Sequence, residues 1–81
     1  MTNEIKADST LDCTGLLCPM PVVKTKLAID DLQPGQILKV LSTDKGAKKD
    51  FPSFCAETGH SLVKAVEDKG VYTFFIKIKK A

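Results

Sequence analysis

Hydrophobic and polar positions repeat with two different periods along the chain, and the changes of period divide it into six elements. In residues 71–80, Tyr72, Phe74, Ile76 and Ile78 alternate with Val71, Thr73, Phe75, Lys77 and Lys79, the period of two expected of a strand with one buried face. Ser61–Asp68 predicts the strand before it, and Lys69-Gly70 the hairpin turn that joins the two. Residues 37–41 are almost continuously apolar, with Lys39 as the one charge, which suits an interior strand of a partly parallel sheet. Residues 10–13 form a short first strand, stopped by the Thr14-Gly15 turn signal.

Between these strands the period changes to that of a helix. From Pro19 onward Val22, Thr25, Ile29 and Leu32 recur at 3-4-3 spacing with Ala28 beside them, until Pro34-Gly35 ends the run. Met20, Val23 and Leu27 make a second apolar strip on the opposite side of the same helix, at 100° per residue. A surface helix needs only one buried face, so the second strip is expected to be free for a partner. A second helix carries Phe51, Phe54, Cys55 and Thr58, with Asp50 expected as its cap, Pro52 in its first turn and Gly59 closing it. The order β-α-β-α-β-β predicts a two-layer α/β sandwich of the α+β class, a four-stranded mixed sheet with both helices on one face. Ile37, Leu41 and Phe75 are then expected on the sheet face turned away from the helices.

An 81-residue chain builds one core, so residues 1–9 are expected as a flexible polar tail and residues 10–81 as a single domain. At 43% hydrophobic and 27% charged residues it has the composition of a folded globular protein. All twelve cations are lysines and the net charge is only +2. Without arginine forks the chain is not expected to bind nucleic acid directly. No run approaches the ~18 apolar residues of a membrane span, and residues 1–8 lack the apolar core of an export signal. The expectation is a cytoplasmic protein without membrane contact. Three cysteines in such a chain point to reduced thiols and not to a disulfide framework.

Cys18 is the thiol whose position suggests chemistry. If Pro19 is the first helical residue, as its fixed φ and missing N–H favour, Cys18 takes the N-cap position. Unpaired N–H groups and the positive end of the helix dipole then face its sulfur. Such an environment lowers a thiol pKa from about 8.5 into the range of roughly 3.5 to 7.5, which makes a nucleophilic thiolate available at neutral pH. Pro21, two residues further, stiffens the junction and so fixes where that sulfur points.

Asp12, Gly15, Leu16, Cys18, Pro19 and Pro21 spell D-x-x-G-L-x-C-P-x-P, and with this signature the chain resembles the TusA/SirA-like sulfur-carrier family. The likeness continues through Pro34-Gly35, Asp44 and the Asp50-Phe51-Pro52-x-Phe54-Cys55 segment to His60, and the family's sandwich matches the element order above. The resemblance implies a persulfide on Cys18 with no other cofactor. The sulfur would come from a cysteine desulfurase or rhodanese-like donor and pass to a DsrE-type or other sulfur-accepting protein, for tRNA thiolation, molybdenum cofactor or sulfur oxidation. Met20, Val23 and Leu27, with Lys26 nearby, are the expected docking residues for such partners.

Cys13 and Leu17 depart from the family pattern: Cys13 stands where a small non-thiol residue is expected, and Leu17 where many members carry a polar or basic one. Cys13 is therefore a candidate second thiol for a redox switch or regulatory module built with Cys18, although a thiol ending a buried strand is expected to be inert. A zinc site from Cys13, Cys18, Cys55 and His60 has the right ligand count, but Cys55 belongs to an apolar stripe, so no metal is expected. A cysteine hydrolase would require the one histidine, His60, to reach Cys18, with no oxyanion arrangement in view.

Overall fold

The computed structural model describes residues 6–17 and 20–79. Its elements follow the order β1 (Ser9–Cys13), α1 (Met20–Ile29), β2 (Ile37–Ser42), α2 (Ala47–Thr58), β3 (Ser61–Asp68) and β4 (Val71–Lys77). The strands form one mixed sheet ordered β1-β2-β4-β3. β1 runs parallel to β2, and β4 is antiparallel to both β2 and β3. This is the expected two-layer sandwich, with β2 in the interior as its apolar run predicts.

Register shows how the core is assembled. Leu38, Val40 and Ser42 of β2 lie opposite Ile76, Phe74 and Tyr72 of β4, and all six are buried. Against them α1 sets Thr25 and Ile29, and α2 sets Ala47, Phe51, Phe54 and Cys55. Phe51 stacks on Phe74 with ring centroids 4.6 Å apart and planes 20° from parallel, an offset geometry that adds to the area both rings bury. Ile37, Lys39, Leu41, Thr73 and Phe75 are half-buried on the other face, where Ile37, Leu41 and Phe75 were expected.

β1 begins one residue before its expected start, because Asp8 already ties the chain to β2. The Asp8 N–H donates to the Ile37 carbonyl, and the Ile37 N–H donates to the Asp8 carboxylate, each at 2.8 Å. β4 ends at Lys77, earlier than the expected 80, yet Ile78 is fully buried and bonds Gly35 and Gln36 through its backbone. Lys69 (φ 51°) and Gly70 (φ 83°) both take the left-handed region, as a type I′ hairpin turn demands.

The expected start of α2 is corrected. Asp50 is not the cap: the helix begins at Ala47, with Gly46 before it and no side-chain cap bond. Asp44 starts the turn instead, its Oδ1 accepting the Gly46 N–H at 3.2 Å and its carbonyl accepting the Ala47 N–H at 3.0 Å. Burial of Ala47 one turn before Phe51 explains the earlier start, since it extends the apolar stripe backwards. Pro52 therefore lies within the helix and not in its first turn, while Gly59 closes it at φ 87° with its N–H on the Cys55 carbonyl.

Because Phe51 is fully buried and supplies the ring that meets Phe74, Phe51→Ala should cost about 3–5 kcal/mol. Urea denaturation should show a lower midpoint with an unchanged slope.

Candidate functional site

The loop from β1 to α1 is held at both ends. At the strand end the Asp12 Oδ1 accepts the Thr14 hydroxyl at 2.7 Å and the Thr14 N–H at 3.0 Å, the bonding of an Asx-turn. These bonds, the hydroxyl first, hold the Asp12 carboxyl below its ordinary 3.8. The Leu16 N–H returns to the Cys13 carbonyl at 3.1 Å, closing a turn in which Gly15 has φ +84°. That value at the third position of a turn is one an L side chain adopts only with strain. The Gly15 N–H donates to the Thr43 hydroxyl at 2.9 Å, linking the loop to the segment after β2. Leu16 packs against the core and Leu17 stands 72% exposed.

At the helix end the Met20 N–H donates to the Leu17 carbonyl at 2.9 Å, and Pro21 is buried. The Pro21 carbonyl accepts the Thr25 hydroxyl at 2.8 Å and lies 4.0 Å from the Cys13 sulfur. Cys18 and Pro19, the expected nucleophile and helix starter, lie outside the described residues; Asp12, Gly15, Leu16 and Pro21 of the same signature are the residues that fix the two flanks. Pro21 does more than stiffen a first turn, because it begins the buried series Pro21, Thr25, Ile29 at intervals of four.

Outward from this junction, α1 presents its second strip. Met20 is 42%, Val23 41% and Leu27 64% exposed, with exposed Lys24 and Lys26 to either side and no acidic residue in the first turn. Leu17 extends the strip into the loop. The apolar surface expected to meet a partner is thus accessible.

The other thiols lie in different surroundings. Cys13 is fully buried at the end of β1, and desolvation pushes its thiol above the ordinary 9.0. Cys55 is buried in α2, where the same effect raises it to about 11. Neither offers a thiolate at neutral pH. The Nδ1 of His60 accepts the Lys79 N–H at 3.0 Å, and its ring lies 6.2 Å from that of Phe54. Among the described residues no three Cys, His, Asp or Glu side chains gather as a metal would require, and no helix is long and apolar enough to cross a membrane.

Two residues of this site were not anticipated. Thr43 carries no motif that singles it out, yet its hydroxyl anchors Gly15. Thr25 was expected as one apolar-face position among several, whereas it is fully buried and its hydroxyl is satisfied within its own helix.

Fold and site together define a small two-layer α/β protein with a cysteine-proline signature in the loop from its first strand to its first helix. Residues 9–78 match the family model described as Sulfurtransferase TusA, and the chain belongs to that family. It is 43% identical over 79 residues to the sulfur carrier protein TusA of Pseudomonas aeruginosa, covering 98% of each chain. A protein of Neisseria meningitidis provisionally named as a sulfur carrier is 49% identical over 70 residues, 86% of this chain and 95% of its own. In three dimensions the chain is similar to a SirA-like protein of Desulfitobacterium hafniense, with a TM-score of 0.76 at 23% identity, covering 89% of this chain and 99% of that one. That likeness shows the fold.

Two outcomes follow from the geometry. Since the folded Asp12 carboxyl titrates below 3.8, its bonds to Thr14 stabilise the fold fully above the unfolded value and are lost as pH falls through the folded one. Asp12→Ala should therefore lower the melting temperature at pH 7, and the gap from the parent should close below about pH 4, in a series of calorimetric scans. In a Cys18→Ser variant, an aromatic disulfide reagent at neutral pH should label Cys13 and Cys55 far more slowly than free cysteine, and reach both only in denaturant.

Proposed function

We propose that this protein is a sulfur carrier that holds sulfane sulfur as a persulfide on Cys18 and relays it between proteins. The observation that carries the proposal is the division among its three cysteines. Cys13 and Cys55 are buried with raised thiol pKa values, and Cys18 is the one within the family signature. The names of the relatives support the same activity.

Loading begins when the Cys18 thiolate attacks the terminal sulfur of a donor persulfide. One S–S bond forms, the donor S–S bond breaks, and the donor cysteine leaves as a thiolate. Delivery is the same exchange in reverse: an acceptor thiolate attacks the terminal sulfur and Cys18 departs as a thiolate. No external oxidant or reductant enters either step, so the carrier needs no cofactor of its own. A cysteine desulfurase or rhodanese-like enzyme is the proposed donor, and a DsrE-type or other thiol protein the acceptor. Sulfur so delivered would serve tRNA thiolation, molybdenum cofactor assembly or sulfur oxidation, in the reducing cytoplasm.

Docking is assigned to Leu17, Met20, Val23 and Leu27, with Lys26 beside them, because both partners must reach the same loop and this is the exposed apolar surface next to it. The alternative of a redox switch pairing Cys18 with Cys13 is disfavoured by the burial of Cys13 beneath Pro21.

After incubation with cysteine and a desulfurase, intact-mass spectrometry should show the gain of one sulfur, absent in Cys18→Ser. Equal loading of that variant would refute the assignment. Val23→Asp should slow loading about tenfold or more while leaving the melting temperature within about 2 °C, since the side chain is exposed and a charge there opposes apolar docking. A large loss of stability would place Val23 in the core instead.

A further inference from the structure

The sheet face opposite the helices carries a depression of about 480 Å³, within the range of small-molecule sites. Strand register explains its chemistry. Thr10 pairs with Lys39, Lys39 with Phe75, and Phe75 with Lys64, so one row across all four strands reads hydroxyl, ammonium, phenyl ring, ammonium. Thr73 and Val66, paired with each other in the adjacent row, complete the walls. Among the described residues no carboxylate lines the depression.

Lys39 is half-buried on an interior strand and holds its Nζ 5.8 Å from the centre of the Phe75 ring. A cation at that distance is attracted by the ring face, which restrains a side chain that would otherwise be mobile. Among the described residues Glu67 pairs with Lys48, and no carboxylate pairs with Lys39 or Lys64. Adjacent strands lie about 4.8 Å apart, so the two lysine stems rise from backbones about 10 Å apart on either side of the ring.

We propose that this depression binds a small aromatic anion, a planar ring bearing a phosphate or carboxylate. Its ring lies on Phe75 and Val66, its anionic group is shared by Lys39 and Lys64, and Thr10 and Thr73 supply hydroxyl donors. Two other occupants fit the charge pattern less well. A second copy stacked face to face about a two-fold axis would bring this lysine row against itself. A nucleic-acid strand needs a longer cationic track than a chain of net charge +2 with no arginine provides. The site lies across the sheet from α1, so it is independent of sulfur transfer at the β1–α1 loop.

Amide-resolved NMR titration of the full chain with phenyl phosphate tests the proposal, with inorganic phosphate and a twelve-residue oligouridylate as comparisons. The expected result is saturable shifts centred on Lys39, Lys64, Thr73 and Phe75, at least about tenfold weaker in the Lys39→Gln/Lys64→Gln double variant, as loss of charge-assisted bonds predicts. Phe75→Leu should weaken phenyl phosphate but leave inorganic phosphate unchanged. Equal binding of inorganic phosphate would show nonspecific charge attraction and overturn the proposal. So would tighter, steeply salt-dependent binding of the oligonucleotide, or shifts that never saturate. Both variants exchange side chains outside the core, and unchanged amide shifts in α1 and α2 would establish that they fold.

Discussion

The carbonyl of Pro21 is where the sheet and the first helix are joined, and the geometry of the loop between them depends on that joint. The Thr25 hydroxyl bonds it at 2.8 Å and the Cys13 sulfur rests 4.0 Å away. Thr25 and Cys13 are fully buried and Pro21 is buried with them. A buried hydroxyl left without its acceptor would cost about 1–3 kcal/mol, so this contact constrains Thr25 and the first turn of α1 together. The end of β1 and the start of α1 are thereby set against each other. The Asp12–Thr14 turn and the Gly15–Thr43 bond then determine the path by which Thr14 and Gly15 leave the strand.

The same joint separates the roles of the cysteines. A thiol sealed under a helix is an apolar residue with a raised pKa, and Cys13 serves in that way as packing beneath α1. Cys55 does the same on the buried face of α2. Burial keeps both of these thiols away from solvent and from exchange with an incoming thiol or disulfide. α1 is likewise divided. Its Pro21, Thr25 and Ile29 face bonds it to the core, while Met20, Val23 and Leu27 remain exposed, an unfavourable solvation that a partner surface would relieve.

Strands proved more legible in the sequence than helix starts, for a physical reason. Alternation in β4 and the apolar run of β2 report burial directly, and the left-handed Lys69-Gly70 pair reports the turn. A helix start is set by local bonds for which several residues compete. Asp50 had the chemistry of a cap, but Asp44 made the bonds and Ala47 had the burial. Pro21 was read as a stiffener of the junction, which obscured its place at the head of the buried series Pro21, Thr25 and Ile29. Thr43 could not be foreseen as an anchor, since its partner Gly15 is 28 residues distant and the pair forms only once β1 and β2 align. At the site itself, the signature pointed to the loop and the helical period to the exposed strip, while the bonds that hold the loop's two flanks emerged only from the fold.

A two-layer sandwich leaves one sheet face without a helix, and this chain handles that exposure differently at the centre and at the edge. β3, an edge strand, carries Lys64, Glu67 and Asp68 and a bulge between Leu62 and Lys64, features that discourage pairing with another chain. On interior β2 and β4, Lys39 covers Phe75 with its ammonium and leaves the surface cationic. Side chains there rise from backbone bonded on both sides, whereas residues 14–17 belong to no strand or helix and are held by the Asp12–Thr14, Gly15–Thr43 and Leu16–Cys13 bonds. Rigid, laterally bonded positions favour recognition of a small ligand whose groups must meet fixed partners. A loop outside the sheet suits exchange between proteins, where each partner must approach the same atom in turn. The fold thus places two different mechanical environments on opposite sides of one sheet, and the sulfur chemistry is proposed for the loop, where successive partners have access.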